Sequence, residues 1–148
     1  MRSTIISIVL IVLSGLLING CKKPPPPEPT AAEQQLEKLS AHTWKIAGTA
    51  DAVTIAGNTV ITDWASFTIS FGDGTYTATG AYSPEVWPSS GTWTFPSETD
   101  VNTLQRDDGI DIAISVTDAT LQMTFDYTAT GGRLNGIEGT WVFNMIPQ

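Results

Sequence analysis

Residues 110–127 read Ile-Asp-Ile-Ala-Ile-Ser-Val-Thr-Asp-Ala-Thr-Leu-Gln-Met-Thr-Phe-Asp-Tyr. Ile110, Ile112, Ile114 and Val116 alternate with Asp111, Ala113 and Ser115. After Thr117-Asp118, Leu121, Met123, Phe125 and Tyr127 alternate with Gln122, Thr124 and Asp126. Neighbouring side chains of a strand point to opposite faces, so this period of two marks strands with one face on a core and one on water. Two such runs joined by a short turn are antiparallel neighbours.

The same pattern extends outward from this hairpin. Phe67, Ile69 and Phe71 alternate with Thr68 and Ser70, and Trp141, Phe143 and Met145 with Val142 and Asn144. Gly57-Asn58, Gly72-Asp73-Gly74 and Asp107-Asp108-Gly109 supply turn chemistry between the runs. Strands are predicted near 43–50, 53–62, 65–72, 75–82, 91–96, 101–106, 110–117 and 119–128, with a closing strand near 139–146. An antiparallel meander of that length hides its edges by closing into a barrel or folding into a sandwich.

Composition narrows the function classes. Seven Lys and Arg against 15 Asp and Glu give a net charge of −8. Nucleic-acid binders carry basic patches, so nucleic acid is not an expected partner. The single Cys cannot build a disulfide framework, and the single His argues against a His-based metal site. No metal or other cofactor is expected.

The N-terminus reads as an export signal. Arg2 precedes an apolar stretch of 14 residues, Ile5 to Ile18, which is short for a bilayer span of ~20 residues. It runs into Leu17-Ile18-Asn19-Gly20-Cys21, which resembles a bacterial lipobox. That resemblance implies cleavage after residue 20, a lipid on the sulfur of Cys21, and a lipoprotein of the bacterial cell envelope, anchored at the outer membrane. The expected organisation is a signal peptide over 1–20, a lipidated Pro-rich tether over 21–30 and a β-barrel domain over 31–148. Pro24 to Pro27 and Pro29 favour an extended polyproline II spacer. Thr30-Ala31-Ala32-Glu33 has the form of a capping box, and Leu36 and Leu39 share one face. A short helix that lids or plugs the body is predicted there.

The chain also echoes itself. Ala65–Phe71 and Ala119–Phe125 are similar strands, each followed by Tyr-Thr-Ala-Thr-Gly (76–80 and 127–131) and then Gly-Thr-Trp-x-Phe (91–95 and 139–143). His42-Thr-Trp44-Lys-Ile46 is a third version, and the Trp residues at 44, 93 and 141 stand 49 and 48 apart. Two half-barrels of similar design are one reading of this pattern, and coincidence among Thr-rich strands is the other.

Leu39-x-x-His42-Thr-Trp44-Lys-Ile46, Phe71-Gly-Asp-Gly-Thr-Tyr76, Gly91-x-Trp93-x-Phe95 and Ile114-x-Val116-Thr-Asp-x-x-Leu121 together resemble the lipocalin-like domains of bacterial lipoproteins. The resemblance covers most of 39–146. It implies an all-β fold, an antiparallel up-and-down barrel of about eight strands with a short N-terminal helix, whose interior can hold a small apolar ligand. Two features depart from true lipocalins. His42 stands where their first strand has Gly, and no Arg lies in 139–146.

Catalysis is not expected. His42 is the lone imidazole, so no Ser has a His base, and the Cys is committed to lipid. Asp107, Asp108 and Asp111 flank a turn, which reads as a solvated hairpin before it reads as a Ca²⁺ site. The aromatics carry the binding hypothesis instead, because ligand cavities are typically apolar and aromatic with few polar groups. The candidate lining is Trp44, Phe71, Tyr76, Trp87, Trp93, Phe125 and Trp141. Trp87 sits in a Pro-flanked loop and suits a mouth lid, a ring packed back on the body, or a sugar platform with Tyr82. The alternatives to a small-ligand binder are therefore a carbohydrate-binding module and a filled barrel that binds protein partners.

Overall fold

The computed structural model describes residues 25–129 and 136–148. The signal segment, Cys21, Lys22-Lys23 and the Gly131–Arg133 loop lie outside the described residues. Pro25 to Thr30 are exposed and belong to no helix or strand.

The first element among the described residues is α1, Ala31–Ser40. Its capping box forms as read: Glu33 N donates to Thr30 Oγ1 at 3.2 Å, and Thr30 N donates to Glu33 Oε2 at 2.7 Å. Ten strands follow: β1 Thr43–Ile46, β2 Val53–Ile55, β3 Asn58–Thr59, β4 Thr68–Gly72, β5 Thr75–Thr79, β6 Ser90–Thr94, β7 Thr103–Arg106, β8 Asp111–Val116, β9 Leu121–Tyr127 and β10 Gly139–Pro147. A four-residue helix, α2, spans Ile61–Trp64.

Eight of the strands, β1 and β4 to β10, form a closed antiparallel up-and-down barrel, sealed by β1 against β10. The alternation leaves a barrel or a sandwich open, and the fold is the all-β up-and-down barrel that the lipocalin-like resemblance implies. In β8 and β9 each inward residue is buried or nearly so, from Ile112 and Ile114 to Leu121, Met123 and Phe125.

The N-terminal wall differs from the expected 43–50 and 53–62 strands. β1 and β2 are two pieces of one wall, both paired with β10, Trp44 opposite Pro147 and Val53 opposite Phe143. Asn144 bridges the interruption: Ala47 N donates to its carbonyl, and its own N donates to Ala52 O. The chain therefore loops out over residues 48–51 and returns in register. β2 and β3 then turn through Ala56 and Gly57, both with positive φ (47° and 79°), as a two-residue hairpin turn requires. Beyond β3 the chain winds into α2 instead of continuing as strand.

The echo does not map strand for strand. Its first copy spans three strands, β4, β5 and β6, whereas Tyr127 of the second copy simply ends β9.

Each mouth of the barrel is covered. The β4–β5, β6–β7 and β8–β9 connections gather at one mouth, where α1 packs against both β4 and β8. Those strands sit four places apart in an eight-strand ring, so α1 spans the opening. Leu39 is fully buried beneath it, and Trp44 Nε1 donates to Leu39 O at 2.9 Å. The opposite mouth takes α2 and the β5–β6 loop, residues 80–89. That loop leaves β5 at Gly80 (φ 68°), where an added Cβ would lie 2.3 Å from Ser66 O. Only glycine allows this approach.

Candidate functional site

The interior is built from rings. Trp64, carried by α2, packs edge-on to Phe67, Trp141 and Phe143 at 5.0–5.4 Å between centroids. Trp87, carried by the β5–β6 loop, reaches Phe67, Tyr76, Phe125 and Phe143 at 5.4–6.0 Å. Tyr76 belongs to β5, while Phe125 and Phe143 belong to β9 and β10 across the barrel. Trp87 thus spans the bore, and none of its surface is exposed.

One charge lies inside this cluster. Arg106 is 3% exposed, on the inward phase of β7 two residues after Leu104. Its guanidinium carbon stands 4.9 Å from the Trp87 ring centroid and 5.9 Å from that of Phe125. Nη1 donates to Val86 O at 3.1 Å, while Nε and Nη2 both donate to the Asp108 carboxylate. Asp108 balances two effects: burial raises its pKa, but hydrogen bonds and charge from Arg106 outweigh that and leave it lowered. Asp107 is engaged elsewhere, accepting from Thr92 N at 3.0 Å. The Asp107-Asp108-Gly109 turn therefore uses its carboxylates on the protein itself. Among the described residues, no three His, Cys, Asp or Glu side chains converge as a metal site requires.

The tryptophans divide by their N–H groups. Those of the repeated motif each donate to a backbone carbonyl at 2.9 Å: Trp44 to Leu39, Trp93 to Thr75 and Trp141 to Ile137. Among the described residues, Trp64 Nε1 and Trp87 Nε1 have no hydrogen-bond partner, nor does the Tyr76 hydroxyl. Burial raises the Tyr76 pKa; Arg106 opposes the shift, and Asp107 and Asp108 add to it.

The seven residues read from the sequence as a ligand lining do not share one cavity. Tyr76, Trp87, Phe125 and Trp141 belong to the continuous ring cluster, and Trp44 lies under α1 against His42. Phe71 packs edge-on to Trp93 at 6.2 Å. Trp87 offers no face to solvent, so it forms no exposed platform with Tyr82, which is 61% exposed.

Trp93 alone of the seven borders a described cleft. Where α1 crosses its mouth, a cleft of about 370 Å³ remains between Ala32, Glu33 and Leu36 on the helix and Asp73, Gly74, Trp93, Thr94 and Phe95 on the barrel rim. Phe95 keeps the inward phase of Trp93 just past the end of β6, and their rings meet edge-on at 5.0 Å. The bond from Trp93 Nε1 to Thr75 O fixes the indole plane. Leu36 and Phe95 are half-buried and complete the apolar walls. Two further clefts, of about 330 and 360 Å³, lie beside Gln122 and Asn144 and beside Lys38 and Asp118. Their walls carry no aromatic residue.

Leu36, Phe95 and Arg106 join the site without having been expected from the sequence. Each carries a signal there: Leu36 as the first leucine of the helix stripe, Phe95 as the end of Gly-Thr-Trp-x-Phe, and Arg106 in phase with Leu104.

Compared with protein-family models, curated proteins and solved structures, the chain matches none.

Proposed function

We propose that the chain is a lipid-anchored lipoprotein of the bacterial outer membrane whose barrel binds a small apolar molecule at the tethered mouth, in the Leu36–Trp93–Phe95 cleft. The cleft carries this reading. Its volume, about 370 Å³, falls within the ~300–1,000 Å³ of small-molecule sites, and Leu36, Trp93 and Phe95 give it aliphatic and aromatic walls beside a few polar groups. The bore is already occupied by the protein's own rings, so it offers less room than a preformed cleft. The tether leaves from Thr30, directly beside Ala32 and Glu33. Eight residues lie between Cys21 and Thr30, five of them Pro, and a polyproline II spacer of that length would reach about 28 Å at ~3.1 Å per residue. That length sets the cleft near the membrane surface, within reach of amphiphilic molecules leaving it.

Two measurements test the two halves of this reading. Cys21→Ala removes the acylated sulfur, and the protein is expected to leave the membrane fraction or to accumulate with its signal uncleaved. Continued membrane association after correct cleavage would defeat the anchor. For the cleft, the neutral dye N-phenyl-1-naphthylamine is expected to bind the full chain saturably. Phe95→Ala should weaken that binding about tenfold by removing one ring wall, with the thermal midpoint changed by only a few degrees. Non-saturable dye uptake, or uptake indifferent to Phe95, would defeat the cleft.

The filled bore favours a second reading, in which the barrel is a rigid module for a protein partner. Dye binding insensitive to Phe95 would shift the balance to it.

A further inference from the structure

The cleft at the tethered mouth is not uniformly apolar. Two of its eight lining residues are carboxylates, Glu33 and Asp73, and none is basic. Asp73 sits in the exposed β4–β5 turn, on the rim opposite the helix. Glu33 is held by the capping box, and the hydrogen bonds from Thr30 N and to Thr30 Oγ1 fix its position on α1. Hydrogen bonding from the Thr30 backbone, and from its side chain, also holds the Glu33 carboxyl below the usual glutamate value. The same cleft is lined by the ring pair Trp93 and Phe95, and aromatic faces attract cations. The whole chain is acidic, at −8, so no long-range positive field opposes the rim.

We propose that the cleft selects an apolar cation: a hydrophobic or aromatic body with an amine or quaternary ammonium head. This rests on the cleft being a binding site and adds the class of molecule it takes. The body lies against Leu36, Trp93 and Phe95, and the head meets Glu33 and Asp73 at the rim. An anionic amphiphile, such as a fatty acid, meets two like charges there instead. The tether's own Lys22-Lys23 is a poor rival occupant, because four prolines follow it directly and proline-rich sequence favours an extended course. Two carboxylates a few ångströms from the head, in contact with solvent, should contribute about a tenfold preference at low salt.

The test uses the full chain in nanodiscs of zwitterionic lipid, labelled with 5-fluorotryptophan. The Trp93 ¹⁹F resonance is assigned with Trp93→Phe. Three probes share one ring system: 1-naphthylmethylammonium, 1-naphthalenemethanol and 1-naphthoate. The Trp93 resonance is expected to move with each probe that binds, and the cation should bind about tenfold more tightly than the alcohol at ~20 mM salt, where screening is weak. That advantage should shrink to about twofold in the Glu33→Gln, Asp73→Asn double variant, whose introduced glutamine can still accept the capping hydrogen bond. Naphthoate should be the weakest of the three. If the alcohol binds as tightly as the cation to the wild type, or if the double variant keeps the preference, charge selection is overturned while the cleft remains a site. If no probe moves Trp93, the cleft reading falls and this proposal with it.

Discussion

Trp87→Ala is expected to lower stability by about 3–5 kcal/mol, the range for truncating a fully buried Trp or Phe. None of the Trp87 surface is exposed, and its ring touches Phe67, Tyr76, Phe125 and Phe143 as well as Arg106. Set against a total of ~5–15 kcal/mol for a domain, this loss is a large fraction. At roughly 4 °C per kcal/mol the thermal midpoint should fall by about 12–20 °C. Two controls sharpen the result. Trp87→Phe keeps a ring in the bore and removes an N–H with no partner among the described residues, so its loss should stay below about 1.5 kcal/mol. The Ala variant leaves an apolar hole, and such holes stay dry and take up aromatic guests. Saturating indole should therefore recover up to about 2.7 kcal/mol in the variant, at about a hundred times its dissociation constant, and much less in the wild type. An Ala variant as stable as the wild type, with no response to indole, would show that Trp87 does not fill the barrel.

That ring also marks where the sequence can be read and where it cannot. The strands around it announce themselves, because Phe125 and Phe143 stand in alternating runs whose outer faces are Thr, Gln, Asp and Asn, with Val142 the one apolar exception. Alternation fixes which face is inward, while the need to hide edges is met by a barrel or a sandwich, so closure itself is legible only through the lipocalin-like resemblance. Trp87 has no such context. Pro84 and Pro88 flank it, no period surrounds it, and it is buried by contacts with strands distant in sequence. Lid, platform and packed ring fit its sequence equally well, because local pattern carries no information about a loop's tertiary contacts.

The segment 53–64 departs from its reading for a different reason. Val53, Ile55, Val60 and Ile61 suggest one long strand, but the turn falls at Ala56-Gly57 rather than Gly57-Asn58. An Ala at φ 47° is uncommon, and local turn statistics argue against it. The α2 helix is four residues long, too short for any helical period to show. The cleft is half legible. Trp93 stands out by its phase, but its wall partners come from a helix 57 positions earlier and from a residue just past a strand end. Neither neighbour follows from spacing. The buried Arg106 is hidden by its type, since Arg is rarely found fully buried without a partner, and its partner Asp108 lies in a turn whose sequence suits solvent.

Asp108→Ala should therefore harm the fold more than Arg106→Met does, although both break the same ion pair. Losing Asp108 leaves a guanidinium that is 3% exposed with only Val86 O as a hydrogen-bond acceptor and two aromatic faces. Removing one partner of a buried pair typically costs about 3–5 kcal/mol. The Asp108 side chain is 37% exposed, so water enters from that side and the loss should be about 2–3 kcal/mol. Arg106→Met keeps an unbranched stem between Trp87 and Phe125 and leaves Asp108 free to meet water. Its loss should stay within about 1.5 kcal/mol. The pair also predicts a pH dependence. Asp108 has a lowered pKa in the folded state, so its contribution is complete above its unfolded value near 3.8 and is lost as the pH falls through the folded value. The wild type should accordingly lose stability below about pH 4 more steeply than Arg106→Met, in which the carboxyl has no cation to hold its pKa down. Urea unfolding of the wild type and both variants at about pH 3, below the unfolded value, and at about pH 7, well above it, checks the order and the sign together. Equal losses for the two substitutions at neutral pH would mean that solvent, rather than Asp108, compensates the buried guanidinium.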